Sequence, residues 1–154
     1  LFLEEKVDKL IDETSGNPGS QLFEKRVSGM YLGMMFERLC EINHLSLPDY
    51  STTAMSTIES NQSIGSLQAI SISDRSVQYV ACCLAAIHKR VKCDNGVFEI
   101  AIEGSVIERY HRYKERLESR LKKHFKITNA SIVIVDDYSA IGSAVAASMS
   151  HLLT

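Results

Sequence analysis

The chain has 154 residues, 45% of them hydrophobic and 23% charged, with a formal net charge of −2. That length fits one domain with its own core; the charge balance gives no reason to expect a nucleic-acid partner, and no apolar run approaches a membrane span. Cys40, Cys82, Cys83 and Cys93 form no CxxC, and the five histidines stand at no ligand spacing to them, so buried free thiols in a reducing, cytoplasmic setting are expected rather than a metal site.

In chain order, Leu3, Val7, Leu10 and Ile11 make a short helical stripe over 3–14. Asn17 and Pro18 read as an N-cap and a first helical residue. They open a helix over 18–43 with Phe23, Val27, Met30, Tyr31, Met34 and Arg38 at helical steps. A connector containing Pro48 follows, then a short helix over 52–60 and a polar loop over 61–66 with Gly65. From Ser73, the residues Val77, Val80, Ala81, Leu84, Ile87 and Val91 mark an amphipathic helix, and Asp94-Asn95-Gly96 is a turn. Residues 97–102 read as a strand. Tyr110, Tyr113, Leu117, Leu121 and Phe125 then line a long helix, and 131–135 is a β-branched run of the kind found in buried parallel strands. An alanine-rich helix over 139–153 closes the chain. The class is α/β, with a β-α-β-α tail whose strands should be parallel.

Three places carry candidate chemistry. Gln21 and Glu24, three apart at a helix start, pair an amide with a carboxylate, a combination suited to a polyhydroxylated ligand. Gly29 and Gly33 leave a neighbouring face bare. The same spacing also describes an ordinary capped helix with a glycine-lined packing face. The strand ends at Gly104-Ser105 and at Asp136-Asp137-Tyr138-Ser139 lie where open α/β sheets gather ligands, with Ser139 placed to cap the last helix; routine strand-to-helix turns read the same way. The basic run from Arg109 to Lys126 is interleaved with Glu108, Glu115 and Glu118 and reads as a solvated face, a polyanion site being the minor alternative. Met30, Met34, Met35 and Met55 read as core filler, and Tyr110 and Tyr113 as packing residues.

The whole string from Asn17 to Gly33 resembles the NPG-x-Q-x-x-EK-x-x-SG-x-YLG segment of eukaryotic hexokinases and glucokinases. The resemblance runs on through Thr52 to Glu59, Val77 to Arg90, Phe98 to Ile107 and Val135 to Ala147, in the family's order and over essentially the whole chain. It implies an actin-like, ribonuclease-H-like ATPase fold, with residues 1–154 forming the C-terminal part of the large domain. It implies that Gln21 and Glu24 hold sugar hydroxyls and that Gly29, Thr52, Ser56, Gly104, Ser105 and Ser139 surround the nucleotide. The implied ligands are glucose or a related hexose and Mg-ATP or ADP.

This is a divergent member. Glu103 stands for the family's aspartate, Ile107 for its tyrosine, Met34 for a glutamate, Glu37 for an arginine, and Tyr138 and Ala140 for two glycines. The family's phosphate loops and catalytic aspartate lie upstream of the NPG segment, and its metal ligands and second sugar-binding glutamate are also missing from this chain, so no catalytic residue is expected in this piece. With Leu1 in place of Met, a fragment or processed piece is expected, and a secreted parent stays open. Two readings follow: a piece of a hexokinase, inactive alone and prone to self-association through surface that the rest of the domain would cover, or a module of a hexokinase-like sensor that has lost turnover.

Overall fold

The structure is a computed structural model that describes residues 2–91, 96–135 and 143. Helix α1 spans Phe2–Thr14, α2 Glu24–Val27, α3 Gly29–Ile42, α4 Thr52–Asn61 and α5 Ser66–Arg90. Strand β1 (Phe98–Ile102), helices α6 (Ser105–Arg109) and α7 (Tyr113–Lys123) and strand β2 (Ala130–Ile134) follow. The expected terminal helix over 139–153 apart from Ser143, the Asp94-Asn95 turn, Cys93 and the segment from Asp136 to Ser139 lie outside the described residues.

Helix α3 is the centre of the core. Leu32, Met35, Phe36, Leu39 and Cys40 recur at helical spacing, and the first three are fully buried. Burying a side chain of that size stabilises by about 1.5–3 kcal/mol, so this stripe explains why α1, α4 and α5 pack around α3. Met55 from α4 and Ile72, Val77 and Ala81 from α5 complete that layer. On the other side α7 presents Tyr113, Leu117 and Leu121, each four residues after the last, to α5 and β2. Its last turn carries Arg120, Lys122 and Lys123, which suit the helix dipole.

The strands pair in parallel, from Phe98 opposite Ala130 to Ile102 opposite Ile134, as the chain order implied. Phe98, Ile100 and Ile132 turn inward. Val133 and Ile134 are more than one-third exposed, so β2 is covered on one face among the described residues rather than on two. No described helix is long and apolar enough to cross a membrane.

Several expected boundaries move for physical reasons. The helix expected over 18–43 starts at Glu24 and breaks at Ser28, whose ψ of 147° is extended. Residues Asn17 to Ser20 instead form a turn closed by the Ser20 N–H donating to the Asn17 carbonyl at 3.1 Å. Pro18 and then Gly19, with φ +76°, are the second and third residues of that turn. Helix α5 begins at Ser66, two turns before the expected Ser73, because Gly65 at φ +92° lets the chain enter it directly. The long helix expected from Tyr110 starts at Tyr113 and ends at Lys123, and a separate short helix, α6, precedes it from Ser105 to Arg109. Met30 is 67% exposed and is not core filler, while Met35 and Met55 are buried. Cys40 is buried and burial raises its thiol pKa, but Cys82 and Cys83 are exposed on the outer face of α5.

Candidate functional site

The start of α3, the start of α4 and the short helix α6 converge on an open cleft of about 880 Å³. Glycine makes the convergence possible. A Cβ on Gly33 would stand 2.9 Å from the Tyr50 carbonyl oxygen, closer than real side chains come to backbone, and a tight 3.2 Å from the Thr52 nitrogen. A Cβ on Gly29 would meet Val106 at 3.3 Å. The bare face noticed in the sequence is therefore used for helix-to-backbone approach at the cleft wall.

Four residues expected near a nucleotide line this cleft together: Gly29, Thr52, Ser56 and Ser105. Thr52 is the first residue of α4 and its hydroxyl donates to the Gly29 carbonyl, tying α4 to α3. Ser51 caps α4 by accepting from the Ala54 N–H at 3.2 Å. The Ser56 hydroxyl accepts the His111 N–H at 2.8 Å, which leaves its own proton free to point into the cleft. Gly104 adopts φ +137°, and its N–H donates to Glu108 at 3.0 Å. It turns the chain from β1 into α6, which starts at Ser105. Ser139 lies outside the described residues.

Tyr110, which lines the cleft, joins it to a buried polar network centred on Glu59, which is 8% exposed. Its Oε2 accepts from the hydroxyls of Tyr110 and Ser73, each at 2.8 Å, and its Oε1 stands 3.0 Å from Arg116 Nη1. Arg116 also reaches Asp74 at 3.2 Å and stacks over the Tyr110 ring at 5.7 Å. Burial, then the Glu59 charge, pushes the Tyr110 hydroxyl far above its ordinary range, so it remains a neutral donor. Tyr110 and Tyr113 pack edge to face at 6.2 Å, and Tyr113 shares a 2.7 Å hydrogen bond with Ser76. Both are packing residues, as expected, and Tyr110 lines the cleft as well. The cleft also contains Arg109, Glu37 and Asp49. Sequence reasoning passed over Arg109 because it opens the basic run, and Asp49 because it sits in a connector.

Gln21 and Glu24 are exposed and lie apart from the residues that line this cleft. Glu24 is in the first turn of its helix, as expected. Gln21 is not on the same helix face: it precedes α2 with φ +51°, and its side-chain oxygen accepts from the Asn17 amide. The turn that carries it is held from α1. Lys25, 4% exposed, donates from Nζ to Asp12 Oδ1 and to the Asn17 carbonyl, both at 2.7 Å. The Gly19 N–H donates to both Asp12 oxygens at 3.0 Å. The Lys25 contact, then the Gly19 N–H, hold the Asp12 carboxyl below its ordinary pKa. Nothing in the sequence near Asp12 signalled this pair.

The hexokinase family model matches residues 1–64 and 43–149. The chain belongs to the hexokinase family. It is similar to human hexokinase-1, 26% identical over 186 residues that take in 95% of this chain and 20% of that protein. It is also similar to the glucokinase of Aspergillus niger, 30% identical over 90% of this chain and 22% of that protein. The chain thus spans about one-fifth of the length of these curated relatives. A hexokinase crystal structure superposes with a TM-score of 0.69 at 22% identity, over 85% of this chain and 37% of its own. The hexokinase of Schistosoma mansoni complexed with glucose gives 0.64 at 21%, over 84% and 37%. The fold is accordingly the actin-like ATPase fold of hexokinases, expected from the sequence motifs.

Proposed function

We propose that this chain is the C-terminal part of the large domain of a cytoplasmic hexokinase, which transfers the γ-phosphoryl group of Mg-ATP to the terminal hydroxyl of glucose or a related hexose. Gln21 and Glu24 orient the sugar hydroxyls. Gly29, Thr52, Ser56, Gly104, Ser105 and Ser139 seat the nucleoside. The observation that carries the reading is the meeting of Gly29, Thr52, Ser56 and Ser105, scattered over the sequence, in one cleft.

The donor set fits the nucleoside end of Mg-ATP. Hydroxyls and close-approach glycines suit a ribose and a base, with Met30 and Val106 as apolar neighbours. Arg109 is the one cation among the described residues that line the cleft, beside Glu37 and Asp49. No cluster of His, Cys, Asp and Glu among the described residues is arranged for a metal. The resemblance to hexokinases assigns the magnesium and the triphosphate to other parts of the domain, where the ion would supply charge neutralisation for phosphoryl transfer. By the same logic residues 1–154 alone bind nucleotide weakly and turn nothing over. Exposed Leu22, Phe23 and Met30 make self-association of that piece the expected behaviour.

The test is a glucose-dependent ADP-release assay on the full-length protein and its Glu24→Ala variant. Turnover that the substitution lowers about 100-fold, with weakened glucose affinity, supports the reading. Unchanged kinetics would remove Glu24 from the site. Glucose binding without turnover in the unsubstituted protein would favour a sensor instead.

A further inference from the structure

The Asp12–Lys25 pair stands apart from the nucleotide cleft. The Lys25 side chain is 3% exposed and that of Asp12 23%. Taking an ammonium so far out of water is unfavourable unless it is paired and hydrogen-bonded, so the identity of its partners is informative. Both groups direct hydrogen bonds at one short piece of backbone. Lys25 holds the carbonyl of Asn17, and Asp12 holds the N–H of Gly19 with both oxygens. The turn is thus gripped by its carbonyl and its amide at once, and it leads directly into Gln21 and then Glu24. The neighbouring pair does something different. Arg26 and Arg75 meet Asp8 at 3.2 and 2.8 Å and tie side chains of α1, α2 and α5 to one another, with no backbone of the turn involved.

We propose that Asp12 and Lys25 are positioning residues for the hexose-binding pair. They hold the turn so that the left-handed Gln21 and the first-turn Glu24 present amide and carboxylate at a fixed separation before the sugar arrives. Without the clamp, that ordering is subtracted from the binding free energy of the sugar. The inference deepens the hexokinase reading above and rests on it.

The experiment uses the full-length protein with glucose as the probe, and reads glucose affinity by calorimetry, KM for glucose and for ATP, and the thermal midpoint. Asp12→Asn is expected to raise the glucose Kd and KM about tenfold while the ATP KM stays within about twofold. Lys25→Met should behave alike, and Lys25→Arg should recover most of the loss. Combined with Glu24→Ala, Asp12→Asn should add less than about twofold, because both act through the same group. Asp12→Glu keeps the charge and moves it by one methylene. It is expected to fold and to raise the glucose Kd roughly threefold, which decides the matter if the neutral variant does not fold. Unchanged glucose affinity in folded variants, parallel rises in both KM values, or fully additive losses in the double variant would overturn the positioning role alone. Failure of the unsubstituted protein to bind any hexose would overturn the hexokinase reading, and this role with it.

Discussion

Glu59 and Lys25 are both charged groups that this fold removes from water, and it uses them in opposite ways. Glu59 gathers side chains from α5, the end of α6 and α7, so its bonds join elements that would otherwise meet only through apolar contact. Lys25 spends one of its two bonds on main chain, and its partner Asp12 accepts main-chain N–H. The first arrangement sets how helices stand behind a cleft. The second sets the path of a few residues of backbone. A buried charge therefore does not by itself mark a functional residue; what its hydrogen bonds hold in place is the better guide.

The comparison is broken most severely at Glu59. Glu59→Ala strips Arg116, Tyr110 and Ser73 of a shared partner and is expected to destabilise the full-length protein by about 3 kcal/mol, since removing one member of a buried pair strands the others. Denaturant unfolding measures it, and a loss below about 1 kcal/mol would show the network to be dispensable. Next comes Gly33→Ala, which pushes a methyl against the Tyr50 carbonyl. Overpacking of this kind costs about 2 kcal/mol, and the ATP KM should rise more than the glucose KM because the displaced elements wall the cleft. The smallest effect is in pH. The folded Asp12 carboxyl has a depressed pKa, so the unfolded chain takes up the proton first. The clamp therefore contributes fully above the ordinary aspartate value of about 3.9 and loses its contribution as pH falls through the lower folded value. Acid titration of stability should be steeper for the unsubstituted protein than for Asp12→Asn, and superimposable curves would contradict the assignment.

The secondary elements were legible where one residue pattern dominated. The Tyr113, Leu117 and Leu121 stripe of α7, the helix after Ser51 and the parallel order of β1 and β2 all follow from periodicity or chain order, whereas Met30, Tyr31, Met34 and Arg38, the helical steps marked in α3, lie off its buried face. The loop between α1 and α2 was misread because Asn17-Pro18 serves equally as a helix start and as the opening of a turn. Gly19 tips the balance toward the turn, and Asp12 holds it there from another element. Long-range pairs of that kind leave no local trace. The same is true of Glu59, which sits in a plain helical stretch and acquires its partners from residues fourteen to fifty-seven positions downstream. The candidate nucleotide residues were legible only through the family motifs. Nothing in the spacing of Gly29, Thr52, Ser56 and Ser105 says that they share a cleft.

Gln21 occupies left-handed backbone space at φ +51°, where an L-residue is disfavoured by about 1 kcal/mol and glycine is not. Thermal robustness and a hydrogen-bonding amide thus pull in opposite directions at one position. A lineage that keeps glutamine there is retaining a residue that the backbone alone would replace. On the hexose-binding role proposed for Gln21, a chain released from that ligand has a downhill route to glycine at this position, so Gln21→Gly is expected to keep the fold while losing hexose affinity.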